Sequence, residues 1–226
     1  MSSLPFTPDD IDAVLFDMDG TLIDTDNVDV SRWARRIARV YGDTGTAAHR
    51  PARRIVMALE TPINAGFTIL DALGLDTPVI RAMVRLQGSG DPTSLPPISG
   101  TVELVHRLAA RYRLAVVSTR TVAEQRAFLR AQGTDSCFKA FAGRDTTWRI
   151  KPHPQPVLYA AEQLGVEPGR CLMVGDTTVD IRAGRRAGAW TCGVLCGYGQ
   201  RRELERAGAH VILGHTTGLT DVLLQA

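Results

Sequence analysis

Ala13-Val14-Leu15-Phe16-Asp17-Met18-Asp19-Gly20-Thr21-Leu22 is the stretch from which the rest of the chain can be read. Four apolar residues stop abruptly at two carboxylates and a glycine. A short apolar run closed by a turn signal reads as a strand buried on both faces. At the end of such a strand, residues two apart point to one side. Asp17 and Asp19 are therefore expected to aim together, with Met18 turned away. Like charges that close favour a bound cation or a shared proton, and a divalent metal is the simplest answer. Taken alone, Asp-x-Asp-Gly also describes a solvated turn, so the remaining chain has to decide.

Downstream, the apolar spacing predicts helices over 28–41, 49–59, 61–73 and 77–86, with no strand signal among them. Residues 87–100 hold Gly-Ser-Gly, Asp-Pro and Pro-Pro and read as a linker. Beyond it the rhythm changes. Helices are expected over 101–112, 122–132, 154–164, 179–187, 201–206 and 219–224. Strands are expected over 114–117, 171–174, 190–195 and 210–213, with a further apolar patch at 138–141. Strands alternating with helices imply βαβ units and a mainly parallel sheet. The fold class is thus α/β: a Rossmann-like, doubly wound parallel core made of 1–24 and 97–226, carrying an inserted all-helical cap over 25–96.

The 226 residues are 44% hydrophobic and 22% charged, with a net charge of +2. Such a balance gives no electrostatic case for nucleic acid or a membrane surface as partner. Residues 1–12 lack the basic-then-apolar pattern of a signal peptide, and no apolar run approaches a membrane span. A cytoplasmic, soluble protein is expected. Cys137, Cys171, Cys192 and Cys196 form no zinc pattern, and Cys171 and Cys192 read as buried free thiols. Lys139 and Lys151 are the only lysines, which makes each informative.

In open parallel sheets, ligands bind beyond the carboxyl ends of the strands. The first strand ends in Asp17 and Asp19, and the second in Ser118-Thr119-Arg120. The strand at 171–174 ends in Gly175-Asp176-Thr177-Thr178-Val179-Asp180. Lys151 sits in the loop Arg149-Ile150-Lys151-Pro152-His153-Pro154. Converging on one sheet edge, these residues say far more than any of them alone.

Together they resemble the haloacid dehalogenase superfamily, most of whose members are magnesium-dependent phosphatases. The resemblance lies in Asp17-Met18-Asp19-Gly20-Thr21-Leu22, in Val116-Val117-Ser118, in Lys151-Pro152, and in the Gly-Asp-x-x-x-Asp of 175–180, all in family order. It implies Asp17 as nucleophile and Asp19 as general acid and base. Ser118 and Lys151 complete the catalytic set, and Met18, Gly20, Thr119 and Arg120 bind phosphate or substrate. Mg²⁺ is implied as cofactor, on Asp17, Asp19 (through its carbonyl), Asp176 and Asp180. Helical-cap members of the phosphoglycolate phosphatase-like branch share the layout, including Gly197-Tyr198-Gly199.

Chemistry narrows the class. Dehalogenases of the superfamily lack the second aspartate of the first motif, which this chain keeps as Asp19. Phosphonoacetaldehyde hydrolases need a cap lysine for a Schiff base, and 25–95 contains none. What remains is hydrolysis of a small phosphorylated metabolite. A β-phosphoglucomutase-like phosphomutase and a non-catalytic binding module stay as alternatives. The cap arginines Arg32, Arg35, Arg36, Arg39, Arg50, Arg53 and Arg54 fit either substrate contacts or solvated helix faces. Cap hinges are expected near 24–27 and 88–97.

Overall fold

The computed structural model of the chain describes residues 4–25 and 92–224. The four helices expected over 28–86, the cap arginines and most of the expected cap lie outside the described residues. Six strands form one sheet: β1 (Ala13–Phe16), β2 (Arg113–Val117), β3 (Phe138–Ala142), β4 (Cys171–Gly175), β5 (Trp190–Val194) and β6 (Val211–Leu213). Their order is β3-β2-β1-β4-β5-β6 and every pairing is parallel. The helices that follow 92 are α1 (Thr101–Ala109), α2 (Val122–Ala131), α3 (Gln155–Leu164), α4 (Thr178–Ala187), α5 (Arg201–Ala207) and α6 (Leu219–Leu223). None is long and apolar enough to cross a membrane.

Alternation along the central strands sorts the core into two layers. Val14, Phe16, Leu114, Val116, Leu172 and Val174 face one side, where α1, α2 and α6 contribute Leu104, Leu108, Phe128 and Leu223. Ala13, Leu15, Ala115, Val117, Cys171 and Met173 face the other, against Val157, Ala160 and Ala161 of α3 and Ala183 of α4. The first layer is rich in aromatics and the second in alanine, so helices come closer on the second face. Covered on both sides, β1, β2 and β4 need no polar residues until they end.

Sequence and structure diverge at the third strand, read only as an apolar patch. Lys139 interrupts it, and that residue is exposed in an otherwise buried strand. Cys171 and Cys192 are free and buried, and burial pushes each thiol up to about 12.

Strand order reverses across β1, with β2 on one side and β4 on the other, so the crevice of the fold opens at the carboxyl end of β1. There the chain leaves the sheet and returns beside itself. Asp24 N–H donates to Pro96 O at 3.0 Å, and Ile98 N–H donates to Leu22 O at 2.9 Å. Both ends of the intervening segment are therefore anchored next to the crevice.

Candidate active site

Each polar residue of the crevice is delivered by a strand end. Asp17 follows β1 and continues the ladder, its N–H donating to Val174 O at 2.9 Å. Met18 turns into the core and is fully buried. Its carbonyl collects the N–H groups of Thr21, Leu22 and Ile23, which closes the loop tightly. Gly20, at φ +71°, occupies the left-handed region that this turn requires. Its N–H is donated to Ile23 O, so Gly20 contributes room rather than a donor.

Lys151 lies at the centre of the site. Although it comes from a loop, it is only 6% exposed. Its Nζ donates to Asp17 Oδ1 and to Asp180 Oδ1, each at 2.6 Å, and to Val117 O at 2.8 Å. Asp180 is held from its other oxygen by Thr177, whose N–H and hydroxyl both donate to Oδ2 at the start of α4. Oxygens of Asp17, Asp176 and Asp180 come within 4.8 Å of one another. Among the described residues, three buried carboxylates thus face one ammonium, a formal excess of two negative charges. Taking ions out of water costs several kcal/mol each, so stability alone is a poor reason for such a cluster.

Burial pushes Asp17 up to about 7; Lys151 pulls it down, while Asp180 and Asp19 push it further up. For Lys151 burial acts downward, but the Asp17 and Asp180 carboxylates outweigh it and the ammonium stays charged. A set of oxygen donors with two surplus charges fits a hard divalent cation, which would also restore Asp17 to its ionised form.

Asp19 is elsewhere. Its carboxylate takes a two-point fork from Arg120, with Nε to Oδ2 at 2.8 Å and Nη2 to Oδ1 at 2.6 Å. Among the described residues the two carboxylates of the first motif thus have different side-chain partners, Lys151 for Asp17 and Arg120 for Asp19. Met18 packs with Val14 and Phe16 on the core face, so the period-two alternation runs on past the end of β1 and turns Met18 away from the carboxylates, as the sequence predicts. Ser118 follows β2, is buried, and accepts from Arg120 N–H at 3.2 Å. Thr119 turns its carbonyl to Arg144 Nη1 at 3.4 Å. His153 is a loop residue whose Nδ1 accepts from Gln155 N–H.

Residues 11–188 match the haloacid dehalogenase-like hydrolase family. The chain belongs to this family. It is 32% identical over 221 residues to the N-acetylmuramic acid 6-phosphate phosphatase of Pseudomonas aeruginosa, covering 95% of each protein. Over 207 residues it is 31% identical to the Probable phosphatase IndB of Dickeya dadantii (strain 3937), covering 88% of each. Among solved structures, a haloacid dehalogenase-like family hydrolase from Streptococcus pneumoniae superposes with a TM-score of 0.63 over 94% of this chain and 98% of its own. Its 16% identity makes that a likeness of fold.

Within this haloacid dehalogenase-like hydrolase, two features escaped sequence reading. The first is the role of Gly197-Tyr198-Gly199, seen there only as shared layout. Tyr198 N–H donates to Asp176 Oδ2 at 2.8 Å, and a Cβ on Gly197 or on Gly20 would overlap that same oxygen. Two loops, after β1 and after β5, thus close on the Asp176 carboxylate. The second is the Asp19–Arg120 fork. Arginine beside a strand end was visible, but not the direction in which its guanidinium turns.

Proposed function

We propose that this hydrolase removes the phosphoryl group from small phosphorylated metabolites through an aspartyl-phosphate on Asp17, with Mg²⁺ as cofactor. The observation that carries this reading is the buried Lys151 ammonium bridging Asp17 and Asp180, with a third buried carboxylate, Asp176, gathered beside them. Relatives named for N-acetylmuramic acid 6-phosphate and for phosphoglycolate support the substrate class.

Asp17, Asp176 and Asp180, with the Asp19 carbonyl, would hold the ion. When bound it would neutralise the phosphoryl oxygens and keep Asp17 ionised. The chain's own groups do the rest. An Asp17 carboxylate oxygen attacks phosphorus, and the bond from phosphorus to the leaving oxygen breaks. Asp19 gives that oxygen a proton. Water then attacks the aspartyl-phosphate, Asp19 takes its proton, and the electron pair of the broken bond returns to Asp17. Ser118 donates its hydroxyl to a phosphoryl oxygen, and Lys151 offsets developing charge from a fixed position, without reorganising.

The test is hydrolysis of 4-nitrophenyl phosphate and of a panel of sugar and hydroxy-acid phosphates, with and without Mg²⁺. Magnesium-dependent release of inorganic phosphate is expected. An isomerised sugar phosphate in its place would make the chain a mutase. A folded protein that turns over nothing would make it a binding module.

A further inference from the structure

We infer that Arg120 is the positioning residue of the proton-transfer step: its fork fixes the Asp19 carboxylate as the acceptor needed when water attacks the aspartyl-phosphate. The inference rests on the roles proposed above for Asp17 and Asp19 and deepens them. Arg120 grips both oxygens of Asp19, at 2.8 and 2.6 Å, and two parallel charge-assisted bonds set one plane for the carboxylate. Such a fork uses one lone pair of each oxygen and leaves others for a water.

The grip is anchored in the core. Arg120 N–H donates to Ser118 Oγ at 3.2 Å, and Arg120 O accepts from Gln125 Nε2 at 3.0 Å. Gln125 is fully buried and donates also to Ala142 O at the end of β3, at 3.1 Å. Exposure is uneven across the pair: the Arg120 side chain is 8% exposed and that of Asp19 is 32%. The cation is embedded in the protein while the carboxylate faces outward, where a water can meet it. In that step the water oxygen bonds to phosphorus, the bond from phosphorus to Asp17 breaks with its electrons returning to Asp17, and the water proton passes to Asp19. Without the fork, Asp19 remains a base but is seldom in line.

4-Nitrophenyl phosphate isolates the step, because its leaving group departs without a proton from Asp19. R120M is expected to lower kcat by about tenfold or more. KM should fall in parallel, leaving kcat/KM within about threefold, and a burst of 4-nitrophenolate should precede slow turnover. D19N should show the same burst, and R120M should add nothing to D19N, because Arg120 acts through that carboxylate. R120K keeps the charge without the fork and should fall between; it supplies the readout if R120M does not fold. A raised KM with no burst overturns the inference. Arg120 would then contact substrate directly, through an Nη1 that is buried and has no hydrogen-bond partner among the described residues. An unchanged kcat overturns it too. A D19N enzyme without a burst overturns the proton-transfer role of Asp19 itself, so the variant that lacks the burst tells the two failures apart.

Discussion

Asp17 and Asp19 stand two residues apart on one loop, and the fold treats them differently. Asp17 has a side chain 11% exposed and shares a lysine, itself 3% exposed, with a second buried carboxylate. Asp19 is about three times as exposed and is gripped by an arginine at both oxygens. A lysine is a point charge that balances a cluster without dictating geometry, whereas an arginine fork fixes a plane. The difference suits the two roles proposed. A nucleophile in a cluster short of positive charge needs a cation and exclusion of water, and a proton carrier needs orientation and access to water.

Substitutions that abolish one side of this contrast should have the largest effects. D17N removes the proposed nucleophile while keeping the shape, and turnover of 4-nitrophenyl phosphate should fall by at least about 10⁴-fold. Full activity in D17N would move the chemistry elsewhere. K151M leaves Asp17 and Asp180 facing each other without their ammonium. Activity should drop about 10²–10³-fold, and thermal or urea unfolding should show a loss of about 3 kcal/mol, as for a broken buried pair.

Much of this contrast is written in the sequence, and its limits are physical. Buried parallel strands read as unbroken apolar runs, so 13–16, 114–117 and 171–174 announced both the sheet and the residues that end each strand. The burial of Lys151 was hidden, because its own segment is a Pro-rich loop and its three acceptors come from distant elements. The fork was hidden for the same reason: Asp19 and Arg120 are 101 residues apart. Asp180 carried a local signal in Thr177-x-x-Asp180, a capping box whose Thr177 caps a helix starting at Thr178, one residue earlier than the apolar pattern suggested.

Smaller effects sharpen the comparison on the buried side. G197A places a methyl group against Asp176 Oδ2 and should weaken Mg²⁺ binding about tenfold, measured by calorimetry or by the Mg²⁺ dependence of rate. An unchanged affinity would separate the Gly197 loop from the site.

The cluster also predicts a pH dependence. Asp17 is raised to about 7 in the folded, metal-free protein, against about 3.9 for an unfolded aspartate. Its contribution to stability is therefore fully present below about pH 4 and is lost as pH rises through about 7. Mg²⁺ bound beside Asp17 as proposed would offset that loss, so its Tm increment should be larger at pH 8 than at pH 5. An equal or larger increment at pH 5 would contradict the placement of the ion beside Asp17.

The smallest effect belongs to a pair at the opposite end of β1. Asp12 and Arg170 meet there with both side chains nearly half exposed. Hydrogen bonding from Arg170 holds Asp12 below the usual carboxylate range, yet solvent screens such pairs. D12N should move Tm by no more than about 2 °C. A shift as large as that of K151M would mean that burial is not what separates the two ends of the strand.

The most direct test is to catch the covalent intermediate. Enzyme turning over 4-nitrophenyl phosphate in Mg²⁺ is quenched in acid, and the phosphate is mapped by peptide mass spectrometry in the unsubstituted and D19N proteins. Phosphate is expected on Asp17 in both, with more in D19N, where hydrolysis of the intermediate is slowed. Phosphate on any other residue, or none in a D19N enzyme that still turns over, would contradict a covalent intermediate on Asp17.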